Sequence, residues 1–391
     1  MSRSGRRASA FELPPLYAMV QPGLEPIAAD EINRVLGGEI KKVARGLVVF
    51  RVNEVTPDVL NLRTTDDVFL LAWGSDAITY KQDELAKFRK WTANKADWPE
   101  LFKIHHSLRP KTKGKPTFHL VCQREGEHAF RRVDALDAMA DGLAGKIPEG
   151  WQPHDENAWL EIWLTIKGQT AVCGLRLTDR TMRHRTYKDD HVLASLRPTV
   201  AGAMVHLAGI GPGMTVMDPM CGAGTILAET IEVAKLRSKA GRVEVIGGDI
   251  DPNAMFVTGE NLRGVGPAVT CRWDSRRLPL ERESVDRIIT NPPFGKQLAS
   301  PEEVPPLYAA CVREWDRVLR PGGRAVFLVM EQDAIESPLI AYGWRPTRKL
   351  KVRILGQAAI LSVWQKPFAA GTLGESPWTA TAAAPPRETP P

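Results

Sequence analysis

Apolar and polar positions change their rhythm along this chain near residue 188. Ahead of that point, strand-length apolar runs mix irregularly with helix-spaced segments. A strand at 17–21 precedes a helix over 27–35, strands near 41–43 and 47–51, and a helix after Pro57. The apolar strand "VFLLAWG", a helix near 82–93, a basic loop, the strand "TFHLVCQ", a helix over 134–144 and the strands "WLEIWLTIKG" and "QTAVCGLRL" follow. That order predicts a small α+β unit and then a mixed sheet with helices. Beyond Lys188, strand and helix alternate: a helix over 198–207, "TVMDPM", a helix over 225–237, "VEVIGGD", a helix over 253–263, "AVTCRW", "VDRIITNPP", a helix over 305–319 and "RAVFLVM". Regular alternation predicts a doubly wound parallel α/β sheet. Two last strands, 345–354 and 358–365, flank a "LGQA" turn and read as a closing hairpin with an antiparallel strand.

The implied division is a first unit over 13–56, a second over 57–180, a link over 181–194 and the doubly wound domain over 195–367. Residues 1–12 and 368–391 are rich in Ala, Pro, Ser and Thr without apolar periodicity and read as disordered extensions. With 391 residues, the chain has enough sequence for more than one core.

Composition narrows the function classes. No apolar run reaches 18 residues, and the basic start lacks a signal peptide's apolar stretch, so a cytoplasmic protein with no membrane partner is expected. Five scattered cysteines without a CxxC pair suggest neither a disulfide framework nor a metal site. A net charge of +6 is compatible with a polyanion, and three clusters sharpen this. One, over 103–118, holds Lys111, Lys113 and Lys115; another, over 176–188, holds Arg183, Arg185 and Lys188; a third lies over 344–356.

Ligands of open parallel sheets sit beyond the carboxyl ends of the strands. Four such ends carry chemistry here. "DPMCGAGT", from Asp218 to Thr225, offers Gly222 and Gly224 for close approach but lacks the third glycine of a dinucleotide fingerprint, which disfavours a pyrophosphate. In "VIGGDIDP", Asp249 can accept from both hydroxyls of a ribose, while Asp251 reads as the cap of the following helix. "CRWDSRR" supplies Asp274 as acceptor for an adenine amine and the backbone N–H of Ser275. In "TNPPFG", Asn291 presents an amide oxygen, Pro292 and Pro293 stiffen the turn, and Phe294 gives a flat face for stacking. An amide and a backbone carbonyl gripping an NH2 group leave its lone pair free to attack.

"DPMCGAGT", "GGDIDP" and above all "TNPPFG" resemble the cofactor loop, ribose acid and catalytic motif of class I amino methyltransferases that use S-adenosyl-L-methionine (AdoMet). "YAMVQPGLEPIAADEI" is similar to the ferredoxin-like start of THUMP-containing RNA methyltransferases, and "CGLRLTDRTMRHRTYK" resembles the end of a THUMP domain. The link departs from the usual Lys-Arg-Gly-Tyr-Arg, running Arg183-His184-Arg185-Thr186-Tyr187-Lys188. The resemblance covers about 14–366. It implies methyl transfer to the exocyclic N2 of a guanosine in structured RNA, with tRNA position 6 as the nearest type. Asn291, Pro292, Pro293 and Phe294 would be catalytic. Asp218, Met220, Gly222, Gly224, Thr225, Asp249, Ile250, Asp274 and Ser275 would hold the cofactor, with Arg197 reaching its carboxylate. A DNA adenine-N6 or protein-glutamine methyltransferase, another RNA target and a non-catalytic RNA binder are the competing classes, separated by the front half and by AdoMet binding.

Overall fold

Two sheets carry the chain in a computed structural model that describes residues 13–110, 114–155, 158–187, 196–237, 242–293, 302–354 and 356–369. The first sheet uses β1 (Leu16–Met19), β2 (Glu39–Ala44), β3 (Leu47–Arg51), β4 (Asp67–Ser75), β5 (Thr117–Glu125), β6 (Gln152–Pro153), β7 (Leu160–Lys167) and β8 (Thr170–Arg176). Their spatial order is β2-β3-β1-β4-β8-β7-β5-β6. Pairing is antiparallel except that β5 lies parallel to β6 and β7. Because β1 pairs with both β3 and β4, the sheet runs unbroken across residue 56, where the sequence suggested a division.

Helix α1 (Glu25–Leu36) covers this sheet by burying Ile27, Ala28, Glu31 and Ile32 on one face, and Gly37 ends it in the left-handed conformation that a residue with a side chain resists. Farther along the sheet, α2 (Glu84–Asn94) and α4 (Arg132–Leu143) pack on each other and against β4, β5 and β7. Part of the expected basic loop is instead helix α3 (Trp98–Leu108), capped by Asp97 accepting from Glu100 N–H at 3.2 Å. Its apolar residues Trp98, Leu101, Phe102 and Ile104 recur at helical spacing and are buried, which outweighs the scattered lysines. A short α5 (Arg180–His184) occupies the expected link.

The second sheet is doubly wound. Its parallel core joins β9 (Thr215–Asp218), β10 (Glu244–Asp249), β11 (Val269–Arg272), β12 (Val285–Thr290) and β13 (Leu319–Val329) in the order β11-β10-β9-β12-β13. β15 (Gln357–Gln365) adds antiparallel to β13, and β14 (Arg345–Ile354) closes the edge. Helices α7 (Thr225–Arg237), α8 (Pro252–Leu262) and α9 (Val304–Val318) make the crossovers, and α10 (Gln332–Ala341), absent from the sequence reading, leads into the hairpin. α9 shows how the pattern becomes packing. Val304, Tyr308, Cys311, Val312, Trp315 and Val318 form one buried face, each large apolar side chain contributing roughly 1.5–3 kcal/mol.

Helix α6 (Pro198–Ala208) joins the two sheets and is buried along its whole length. A Cβ on Gly202 would lie 2.5 Å from the Arg63 carbonyl, so only glycine admits this approach. Thr199 donates to Asp66 at 2.9 Å and His206 meets Asp30 at 2.6 Å, pinning both ends of α6 to the first half. One hydrophobic cluster consequently runs from Leu16 through Met204 to Val326. Among the described residues no helix is long and apolar enough to cross a membrane.

Candidate active site

The glycine loop between β9 and α7 is held from below by α8. Thr258 Oγ1 donates to the Gly222 carbonyl at 2.6 Å, and Asn261 Nδ2 donates to the Ala223 carbonyl at 2.9 Å. Gly222 and Gly224 sit at φ of 54° and 74°, and a Cβ on Gly224 would press to 3.0 Å against Thr258. Backbone instead of side chains therefore forms the surface of this loop. Thr225 is buried at the start of α7.

Asp249, at the tip of β10, reaches across to this loop. Its Oδ2 accepts from Gly222 N–H at 2.9 Å and its Oδ1 from Asp251 N–H at 3.0 Å, leaving further lone pairs on both oxygens. Asp251 itself caps α8 by accepting from Asn253 N–H at 2.9 Å, as its place before Pro252 suggested. Ile250 stands 56% exposed beside it.

Asp218 is buried at the end of β9, where its carboxylate accepts from Met220 N–H at 3.2 Å. Burial pushes its carboxyl up to about 7, against the pull of the Thr290 hydroxyl and Met220 N–H, and Asp249 adds to the rise. A buried acid with no cation beside it among the described residues suits a ligand that brings one.

Asp274 and Ser275 follow β11, and both are engaged within the protein. Arg276 donates to both Asp274 oxygens, at 2.7 Å to Oδ2, and holds that carboxyl below the usual range. An adenine amine would compete with this guanidinium for Asp274. The Ser275 hydroxyl accepts from Trp315 Nε1 at 3.0 Å, fastening the loop to α9. Trp273 Nε1 donates to the Pro219 carbonyl at 3.0 Å and so ties this loop to the first.

The fourth strand end carries the sharpest feature. Asn291 follows β12 directly, and its Oδ1 is out of solvent with no hydrogen-bond partner among the described residues. Such an acceptor costs roughly 1–3 kcal/mol unless something else supplies a donor. Pro292 is buried, and the Pro293 carbonyl accepts from Tyr308 Oη at 2.9 Å. Tyr308, a buried residue of α9 that the sequence reading did not single out, thus fixes the turn. Phe294 lies outside the described residues.

Several expected contacts take other partners. Arg197, expected at the cofactor carboxylate, donates instead to Gln21 Oε1 at 3.1 Å from its exposed position just ahead of α6. Arg183 pairs with the buried Asp67. Arg185 is buried, pairs with Glu229 at 3.3 Å and donates to the Arg63 carbonyl at 3.2 Å, so its charge is committed inside the molecule. Lys115 is exposed, whereas Lys111, Lys113 and Lys188 lie outside the described residues. Cations of the third cluster line the edge strand β14, where Arg345, Lys351 and Arg353 are exposed. Since β14 runs parallel to β13 through β15, Lys351 and Arg353 lie at the carboxyl end of the sheet, the end that carries Asn291.

The donor set fits AdoMet: a loop of bare glycine backbone, an acid at the second strand tip, a buried carboxyl in want of a cation and an orphaned amide oxygen at the neighbouring strand end. Comparisons with known proteins agree with this geometry. Residues 185–359 match the UPF0020 family, described as an RMKL-like methyltransferase domain. The tRNA (guanine(6)-N2)-methyltransferase of Thermus thermophilus is 28% identical over 328 residues, which is 83% of this chain and 91% of that protein. The Bos taurus tRNA (guanine(6)-N(2))-methyltransferase THUMP3 is 32% identical over 271 residues, 64% of this chain, and the match spans only about half of that protein, 51%. The crystal structure of TrmN from Thermus thermophilus superposes with a TM-score of 0.71 at 26% identity, covering 90% of this chain and 99% of that one. Residues 185–359 of this chain are thus similar to an RMKL-like methyltransferase domain, and most of the chain is similar to a guanine-N2 methyltransferase.

Proposed function

We propose that this protein methylates the exocyclic N2 of a guanosine in structured RNA with AdoMet as donor, and that the RNA is a tRNA modified at a position 6 type site in the cytoplasm. The observation that carries the reading is the unpartnered Asn291 Oδ1 at the end of β12, on the same rim as the glycine loop and Asp249. Names of the relatives in Thermus and cattle support the choice of guanine N2 and tRNA.

When bound, AdoMet supplies a methyl group made electrophilic by its sulfonium. Gly222 and Gly224 admit the donor to the backbone, with Met220 and Thr225 beside them. Asp249 accepts from its ribose hydroxyls, Ile250 and Ser275 border its base, and Asp218 answers its cationic end. Asn291 Oδ1 and the Pro292 carbonyl would accept hydrogen bonds from the two N–H groups of the target amine, leaving its nitrogen lone pair free to attack. Phe294 stacks on that base. Positioning of this kind supplies most of the rate, because two reactants become one aligned complex. A paired guanosine must leave its stack, at about a few kcal/mol. Phosphate contacts from Lys111, Lys113, Lys115 and the β14 cations offset that cost. Arg183, Arg185 and Lys188 would then shape the link instead of the RNA track, and Arg197 would brace α6 against Gln21.

The test incubates the full chain with AdoMet and tRNA transcripts and identifies modified nucleosides by mass spectrometry. N2-methylguanosine at one site is expected. Methylation of adenosine alone, or none at all with AdoMet bound, overturns the reading.

A further inference from the structure

A second buried acceptor stands one strand over from Asn291. Glu331 follows β13 and precedes α10, yet its side chain makes no capping hydrogen bond to that helix. Its Oε2 is out of solvent and has no partner among the described residues. β12 and β13 are parallel neighbours, with Thr290 opposite Phe327. Extending that register sets Asn291 opposite Leu328 and Pro293 opposite Met330, so Glu331 stands one step past the turn that holds Asn291. A third residue links them: Tyr308 donates to the Pro293 carbonyl at 2.9 Å, and the Glu331 carboxylate lies near enough to push the Tyr308 hydroxyl upward, second only to burial.

Both orphaned atoms are acceptors. Buried polar atoms without partners are rare in folded proteins and costly, so a pair of them on adjoining strand ends points to a ligand that carries adjacent donors. Among the purines, guanine offers an N1–H next to its C2 amino group, whereas adenine presents N1 as an acceptor. An ionised carboxylate can only accept. It receives the guanine N1–H and repels the N1 lone pair of adenine.

We propose that Glu331 reads the Watson–Crick edge of the target base by accepting N1–H of guanine, beside the amino group received by Asn291. The inference rests on the guanine-N2 reading above and assigns the residue that selects the base. Selection by an unpaired polar group is the strong kind, because the wrong base leaves a buried acceptor without its donor.

The experiment compares synthetic RNAs carrying guanosine or 2,6-diaminopurine at the methylated position. The analogue keeps the C2 amino group and lacks the proton on N1. For the wild type, kcat/KM should favour guanosine by on the order of tenfold to a hundredfold, the range for a hydrogen bond to a charged group. In E331Q and E331A that preference should collapse, with AdoMet affinity held. Because both rates are taken on the same variant preparation, partial loss of folded protein cancels from the ratio, and the near-isosteric E331Q guards the fold. An unchanged ratio in variants that still methylate guanosine overturns the role of Glu331 and leaves the parent reading standing. A wild type that methylates no guanosine overturns both.

Discussion

Glu229 on α7 accepts both arms of the Arg63 guanidinium at 2.8 Å, joining the methyltransferase sheet to the amino-terminal half across 166 residues of sequence. The Tyr187 hydroxyl donates to the same carboxylate at 2.6 Å and Arg185 at 3.3 Å. Glu229 is wholly buried, so this network holds the two halves in one orientation, and any surface for RNA is then a fixed surface. Removing one member of a buried pair leaves its partner charged without compensation. Glu229→Ala should cost about 3–5 kcal/mol in denaturant unfolding. A loss of less than about 1 kcal/mol, the scale of a single ordinary hydrogen bond, would make the network dispensable.

Asn291→Ala removes the amide oxygen at the end of β12. Methyl transfer should fall by about a hundredfold to a thousandfold, as for loss of one preorganised polar group at a reacting centre. AdoMet affinity by calorimetry should be nearly unchanged, since Asn291 is assigned to the acceptor base. Turnover at the wild-type rate would remove Asn291 from the chemistry.

Tyr308→Phe deletes the hydroxyl that holds the Pro293 carbonyl. About 1 kcal/mol of stability should be lost with that hydrogen bond. A turn released in this way should lower kcat more than it raises KM. Equal effects on both would point to a merely structural contact.

Asp218 gives the enzyme a pH dependence. Its carboxyl, raised to about 7 in the fold, keeps a proton that the unfolded chain has released from about pH 4 upward. Folding stability without ligand should therefore decline as pH rises through this window. A cationic donor needs the ionised form, so AdoMet should bind more tightly as pH rises through about 7. Affinities measured across roughly one pH unit on either side of that value should show the slope in the wild type and lose it in Asp218→Asn.

Phosphate contacts leave a salt signature. Replacing Lys111, Lys113 and Lys115 by Ala should weaken RNA binding and lower the slope of log affinity against log salt by about 2, since each phosphate no longer neutralised takes away somewhat under one unit. Titrations at several salt concentrations would expose a bystander loop as an unchanged slope. A parallel triple change of Arg345, Lys351 and Arg353 on β14 tests the other cluster in the same way.

Features that are local and periodic could be read from the residues alone. The parallel strands were legible because each is an apolar run closed by a turn signal, and α7 was bounded at Thr225 and Arg237 by its own pattern. Asp218, Gly222, Asp249 and Asn291 could be named because parallel strands place their ends on one rim whatever the side-chain packing. The closing hairpin was legible too, whereas α10 hid its ten residues around an internal Pro338. Whatever depends on partners distant in sequence had to wait for the packed molecule. Arg185 looked like an RNA contact and is an internal strut, because Glu229 meets it in the fold. Tyr308 and Glu331 carry no motif, and their place beside Asn291 exists only once β12, α9 and β13 have packed. Charge and periodicity belong to the chain, but which charges face outward follows from which neighbours the fold brings to them.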